Sequence, residues 1–410
     1  MQEAHFTLTS RAVRLLGGLV LAAMVSGCGV MAQEPPLSAD TGQSQSPAAA
    51  AEVEDSAKKE LRTASVVVSG DLLWHPSLFN GAQIEAQNTA DDGYDFAPLF
   101  ADLKPVVEAA DLAICHEEVP FAPAGEEPSG YPSFGAPDAV AAGVKAVGWD
   151  MCTTASNHSL DRGMAGLHHT VNTFNSEGVD VVGTYVDQTA AKKPYIYTTD
   201  QGVKISVVIG TYGLNGLSTP PGEEYAVDML KPEAMIAKAQ AAKEAGADIV
   251  LAAIHGGDEY ETMPNQQQVD AATALAHSDA VDLIYGHHVH VVQPWDRING
   301  KLVIYGLGNM IAQHQTDVPR GYEGVTAQLQ FKEREDGSFT LDEAAYFPTL
   351  ISRNGISSDS DGTPSRLFQV NKAIKDDTVF ADVNAERLQL AKQRTAEAVN
   401  ALDITDIVEK

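Results

Sequence analysis

From Ala64 onward, short apolar runs rich in β-branched residues alternate with longer stretches whose apolar positions recur at helical spacing. Ser65–Ser69, Asp111–Cys115, Asp150–Thr154, Val179–Val182, Asp248–Ile254 and Ala280–Ile284 read as strands. Phe96–Ala109, Asp138 to about Val147, Gly163–Glu177 closed by Gly178, Pro232–Ala245 and Asn265–His277 read as helices. Pro120–Pro137 is a Pro/Gly loop. Two hairpin signals make the middle of the chain look antiparallel: Asp200-Gln201-Gly202 between Pro194–Thr199 and Val203–Ile209, and Asn299-Gly300 between Trp295–Ile298 and Lys301–Tyr305. Gly324–Lys332 and Ser338–Tyr346 are further strands around Glu335-Asp336-Gly337. The tail carries helices near Pro364–Ile374 and Asn384–Leu402. The pattern predicts an α/β domain with a mixed sheet system.

Polar, ligand-type residues sit at or just past the carboxyl ends of five of these strands. They are Asp71, His116-Glu117-Glu118, Asn157-His158 with Asp161, His255, and the run Gly286-His-His-Val-His290. Ligands of α/β sheets bind in the crevice outside those ends. A series mixing Asp, Glu, Asn and His signals a metal centre of oxygen and imidazole donors, suited to Mn, Fe or Zn and unlike a thiolate zinc knuckle. In extended backbone, residues two apart share a face, so His288 and His290 aim together and His287 aims away. A carboxylate can bridge two metals, and two metals roughly 3.5–4 Å apart clamp the attacking and leaving oxygens of a phosphoester. His168, His169, His277 and His314 read as surface or helix residues, and Thr211–Gly216 as a turn whose residues suit a site rim. The chain has no Walker A loop, no Gly-x-Gly-x-x-Gly fingerprint and no Gly-x-Ser-x-Gly elbow, which speaks against kinase, dehydrogenase and serine hydrolase chemistry.

Composition changes the picture at the N-terminus. Arg11 and Arg14 precede the apolar stretch Leu15–Val25, which ends in Val25-Ser26-Gly27-Cys28. Residues 1–27 read as a leader too short to span as a mature helix. The ending resembles a bacterial lipobox, which implies cleavage before Cys28 and lipid attachment to its thiol; an ordinary secretory peptide is the alternative. Residues 28–61, rich in Ala, Ser, Gln, Pro and Glu, read as a flexible tether. The expected product is an exported domain, lipid-anchored on the outer face of a bacterial membrane. Export permits a disulfide between the two other cysteines, Cys115 and Cys152, against the alternative of two buried thiols. The formal net charge of −29 argues against nucleic acid and against an anionic membrane surface as partners of the folded part.

Gly70-Asp71-Leu-Leu-Trp-His75, Ala110–Glu118, Ala155-Ser-Asn-His-Ser-Leu-Asp161, His255-Gly-Gly-Asp-Glu-Tyr260 and Gly286–His290 resemble the motif series of the CapA family. These are poly-γ-glutamate capsule biosynthesis proteins within the metallophosphatase (calcineurin-like phosphoesterase) superfamily. Thr211–Gly216 and Gly306-Leu-Gly-Asn-Met310 resemble further family segments, and the likeness covers about Val66 to Ile311. It implies a two-sheet sandwich flanked by helices (α/β/β/α) over residues 62–350, with 351–410 as a helical extension packed on it. It implies Asp71, Glu118, Asn157, His255, His288 and His290 as ligands of two divalent metals. His158 is then the acid or electrostatic stabiliser at a leaving group, with Asp161 orienting it. His75, His116, Glu259, Asn215 and Asn309 are expected behind the ligands or facing substrate. The implied partners are an anionic envelope polymer such as poly-γ-glutamate, or a phosphoester, and other capsule synthesis proteins. Departures from the family pattern matter. The histidine that often follows as Asp-x-His lies four residues on, at His75. His116 fills a slot that is often Asn, and Glu117 stands beside Glu118. A metal-dependent hydrolase, a non-enzymatic polymer-binding accessory and a general secreted metallophosphoesterase all remain open at this stage.

Overall fold

The computed structural model describes residues 60–88, 93–313, 318–353 and 363–410. The leader, Cys28, the tether up to residue 59 and His314 lie outside them. β1 (Thr63–Leu72), β2 (Leu112–Glu117), β3 (Met151–Thr153) and β4 (Asp180–Val182) run parallel, side by side. The chain then builds a second sheet from β5 (Tyr197–Thr198), β6 (Lys204–Thr211), β7 (Ile249–His255), β8 (Leu283–His287), β9 (Trp295–Ile298) and β10 (Lys301–Ile304), in the order β5-β6-β7-β8-β10-β9. It returns to the first sheet with β11 (Asn309–Ile311), β12 (Glu323–Glu333), β13 (Phe339–Ile351), β14 (Leu367–Gln369) and β15 (Ile407–Glu409). There β11 lies parallel to the end of β1, and β12 runs antiparallel along the rest of it.

Period-two alternation sorts the strands into layers. In β7, Ile249, Leu251 and Ala253 enter the core between the sheets, while Val250, Ala252 and Ile254 pack under the helices Pro232–Glu244 and Gln266–Ala276. In β2, Leu112 and Ile114 face the same central core, whereas Ala113 and Cys115 face the opposite side, with Trp74, Phe100 and Trp149. The result is the expected sandwich of two sheets between two helical layers. Strands buried on both faces read as continuous apolar runs, which is why β1, β2 and β7 were legible.

Several expectations need correction. The second sheet is antiparallel only at its margins: β6, β7 and β8 are parallel, and the two hairpins supply its edges. Asn299 and Gly300 both take positive φ, +52° and +75°, as a two-residue hairpin turn requires. Phe96–Ala109 is not one helix but two turns, Ala97–Phe100 and Lys104–Val107, because Pro98 and Pro105 each occupy the start of a helix. A proline deeper in a helix would lack its N–H and clash with the preceding turn. Pro76–Asn88 is an unforeseen helix, burying Leu78, Phe79, Ala82 and Ala86 at helical spacing. The C-terminal residues, expected to be helical, carry the helices Val370–Lys375 and Ala385–Val399 and also add β14 and β15 to the first sheet.

Cys115 and Cys152 are disulfide-bonded across β2 and β3, with Cα atoms 4.5 Å apart and 37 residues of separation. A loop of that length is worth about 2–4 kcal/mol through the unfolded chain. The pair Cys115→Ala and Cys152→Ala is expected to lower the urea unfolding free energy by that amount. Thiol titration of the denatured, unreduced protein should find neither of these two cysteines free.

Candidate metal centre

Every expected ligand is carried to one place by a strand end. Asp71 lies near the end of β1, in register with His116 of β2 and Asn309 of β11. Glu118 follows β2, Asn157 and His158 follow β3, His255 ends β7, and His287, His288 and His290 end or follow β8. Asp71, Glu118, Asn157, His255, His287, His288 and His290 are all buried, the most accessible being 4% exposed.

Two glycines allow this convergence. A Cβ on Gly70 would strike the Gly308 carbonyl, and one on Gly286 the Tyr305 carbonyl. Gly286→Ala is expected to cost about 1–3 kcal/mol by forcing the backbone apart. It should also weaken any cation binding by displacing His287 and His288; urea midpoints with and without metal would read both effects.

The two carboxylates have different surroundings. Asp71 Oδ1 lies 2.7 Å from His287 Nδ1, its Oδ2 accepts the His288 backbone N–H at 3.1 Å, and His290 Nδ1 lies 3.4 Å from Oδ2. Burial works against its charge, but the hydrogen bonds to His287 and His290 outweigh burial and hold Asp71 well below the usual carboxylate range. Burial likewise opposes charge on His290, yet Glu118 and Asp71 raise it to about 9. Glu118, by contrast, is pushed well above its ordinary value by burial, opposed by His290. Its nearest bases are His290 Nε2 at 3.8 Å and His255 Nε2 at 3.9 Å, beyond hydrogen-bond distance. Glu117 turns the other way and accepts from Trp74 Nε1 at 3.0 Å, which leaves Glu118 as the acid facing the cluster. Burial keeps His116 and His255 well below the ordinary imidazole value and takes His288 to about 3. These rings are therefore neutral, the form that ligates.

The expectation for His287 fails. Backbone φ is +89° at His288 and +59° at His290, so the run is not extended and alternation does not apply. His287 points at Asp71 and stacks on His116, with ring centroids 4.0 Å apart.

The remaining candidates surround this core. His158 Nδ1 lies 2.8 Å from Asp161 Oδ2, which also accepts the Phe134 N–H at 2.9 Å. Asn215 accepts from Asn157 Nδ2 at 3.1 Å and sits 3.3 Å from His158 Nδ1. Asn309 Oδ1 meets His290 Nδ1 at 3.0 Å. His116 bridges Thr153 and His255. His75 Nδ1 lies 3.0 Å from the Leu73 carbonyl and 3.1 Å from the Gln313 N–H, tying that ring to backbone. Glu259 is exposed, at the rim. The sequence reading left three rim rings without a role. Tyr212 lies 4.6 Å from His288, Phe134 4.9 Å from His158 and Tyr260 5.8 Å from His290. Tyr212 and Tyr260 belong to motif segments already singled out, so a signal for them was present; Phe134 lies in the Pro/Gly loop and had none.

The donor set fits divalent metal ions. Glu118 Oε1 and Oε2, His287 Nε2 and His288 Nδ1 are buried without a hydrogen-bond partner. Asp71, His116 and His287 form one group, and Glu118, His288 and His290 another, whose ligand atoms lie within 4.8 Å of one another. Each buried polar atom left unsatisfied costs about 1–3 kcal/mol. A cation coordinated by oxygen and imidazole satisfies them together.

Fold and cluster together define a class: a two-sheet α/β domain with a mixed carboxylate–imidazole centre where its strands end. Residues 65–314 match the family described as "Bacterial capsule synthesis protein PGA_cap", and the chain belongs to that family. Over 202 residues it is 33% identical to the "PGA biosynthesis protein CapA" of Bacillus subtilis (strain 168), covering 48% of this chain and 51% of that one. It is 28% identical over 202 residues to the "Capsule biosynthesis protein CapA" of Bacillus anthracis, covering 48% of each. The chain thus spans about half the length of the curated relatives it matches. Among solved structures, the calcineurin-like phosphoesterase YfkN of Bacillus subtilis aligns at TM-score 0.39 and 14% identity, over 82% of this chain and 98% of that one. That likeness is too distant to carry an argument about activity.

Proposed function

We propose that this chain serves poly-γ-glutamate capsule biosynthesis as an exported, lipid-anchored protein with a metal-dependent hydrolase site. The observation that carries the catalytic part is the two buried groups, Glu118 with His288 and His290, and Asp71 with His116 and His287, in which Glu118 Oε1 and Oε2, His287 Nε2 and His288 Nδ1 have no hydrogen-bond partner. Asp71, Glu118, Asn157, His255, His287, His288 and His290 would hold two divalent metals, which supply Lewis-acid activation of water and of the scissile bond. His158 keeps one ring nitrogen on Asp161, which leaves the other to exchange a proton with a departing group. Tyr212, Tyr260 and Phe134 restrict access of bulk water to the cluster from the rim. No helix among the described residues is long and apolar enough to cross a membrane. In this reading attachment rests on the lipid at Cys28.

Charge sets a condition on this reading. A chain of net charge −29 repels a polyanion, so binding needs bound cations or a local basic cleft, and the metal centre supplies the first. Chelation is expected to abolish binding of poly-γ-glutamate in a pull-down or by calorimetry, and Mn²⁺ to restore it. The deciding assay offers the Mn²⁺-loaded protein both poly-γ-glutamate and a panel of phosphate esters. Cleavage of the polymer supports the proposal, and cleavage of esters alone makes the protein a phosphoesterase. Turnover of neither leaves the second reading, a non-enzymatic accessory that binds polymer through its metals.

A further inference from the structure

His116 is the penultimate residue of β2, opposite Thr153 of β3, and is fully buried. Its Nδ1 lies 2.9 Å from Thr153 Oγ1 and its Nε2 lies 2.9 Å from His255 Nδ1. Thr153 Oγ1 is also 3.3 Å from the Cys115 carbonyl, which can only accept. At the other end, Asn157 gives its Nδ2 to Asn215 and turns its Oδ1 to within 2.7 Å of His255 Nε2. Four side chains and one carbonyl thus form a single line from the metal centre into the first sheet.

We propose that His116 is a positioning residue that fixes the ring tautomer of His255, and is not itself a ligand. This relay presupposes the metal centre proposed above. With a cation bound, His255 Nε2 and Asn157 Oδ1 would both present lone pairs to it, replacing the Nε2–H donation to that amide oxygen that only a metal-free ring can make across their 2.7 Å contact, so the proton of His255 sits on Nδ1. His116 Nε2 must then accept it, which places the proton of His116 on Nδ1. That proton is donated to Thr153 Oγ1, whose own hydrogen goes to the Cys115 carbonyl. Every donor along the line has one acceptor, and the line ends on backbone held by the β2–β3 ladder and the Cys115–Cys152 bridge. A nitrogen occupied in accepting from His255 cannot also coordinate, so the grouping of His116 with Asp71 and His287 reflects proximity, not ligation. Partners of this kind tune a ligating histidine from behind, and their loss commonly costs 10–100-fold in metal affinity.

The test is the affinity of the mature protein for Co²⁺, by competition with a chromophoric chelator, read together with the Co²⁺ absorption spectrum. His116→Leu removes the acceptor and is expected to weaken binding about 10–100-fold with the donor set in the spectrum unchanged. His116→Gln offers a carbonyl near the Nε2 position and should bind close to wild type. Thr153→Val removes only the hydroxyl and should weaken binding in the same direction as His116→Leu; it decides the matter if His116→Leu does not fold. Equal losses in His116→Gln and His116→Leu, with an altered spectrum, would show His116 to be a ligand and overturn the proposal. Wild-type affinity in His116→Leu, or in Thr153→Val if that variant alone folds, would overturn it as well. Failure of the wild-type protein to bind any cation defeats the metal centre itself, a result seen before any variant is made.

Discussion

Asp71→Ala is expected to abolish metal retention and any turnover, and to lower the stability of the metal-free domain by about 3–5 kcal/mol, the usual cost of removing one partner of a buried charged pair. The carboxylate receives the His288 N–H at 3.1 Å and contacts His287 at 2.7 Å and His290 at 3.4 Å. Its loss leaves that N–H and His287 Nδ1 facing a void in a 1% exposed position, and leaves His290 Nδ1 with Asn309 but without its carboxylate. The effect has a pH signature. Asp71 is held below its ordinary value, so its contribution is present above the ordinary carboxylate pKa and lost as pH falls through the lowered one. His290 is raised to about 9, so its contribution is complete below the ordinary imidazole value and fades as pH rises toward about 9. The gap in unfolding free energy between wild type and Asp71→Ala should therefore be widest near pH 5–6 and narrower at pH 9. Urea titrations of the metal-free proteins at the two pH values would measure it.

Glu118→Gln is expected to behave in the opposite way toward stability. Both Glu118 oxygens are buried and without a hydrogen-bond partner, and its closest base is 3.8 Å away. A neutral side chain of the same shape removes a charge that burial disfavours and that His290 and His255 oppose only from beyond hydrogen-bond distance. The metal-free variant should be as stable as wild type or more stable, by about 0.5–2 kcal/mol, the range usual when a functional liability is relieved. Adding metal inverts the order. A ligand at about 100 times its Kd stabilises the wild type by about 2.7 kcal/mol per site, and the variant should gain little. Thermal melts of both proteins with and without Mn²⁺ give the four values needed. Two carboxylates 47 residues apart in sequence thus answer loss of their charge with opposite signs, because one is hydrogen-bonded in the resting protein and the other is not.

Much of this was legible before the structure. Continuous apolar runs marked β1, β2, β7 and β8, and the polar residues just past them marked the centre, because a strand end is where a buried chain first meets the crevice. Three things escaped for physical reasons. His287 was assigned to the wrong face because period-two reasoning assumes extended backbone, and the positive φ of His288 and His290 depends on packing around Gly286 that composition does not reveal. Glu118 was chosen over Glu117 on resemblance alone, because the physical ground for the choice, Trp74, lies 43 residues from the glutamate it binds. The helix Pro76–Asn88 had apolar residues at helical spacing, but Asn80 and Gly81 inside it masked the pattern, since both are poor helix formers.

The central claim is that the buried cluster holds divalent metal. Elemental analysis of the purified protein, after loading with Mn²⁺ or Zn²⁺ and removal of free ions, tests it directly against Asp71→Ala prepared in parallel. Tightly held metal in the wild type, approaching two ions per chain, and background levels in the variant are expected. Equal metal content in the two proteins would contradict the account.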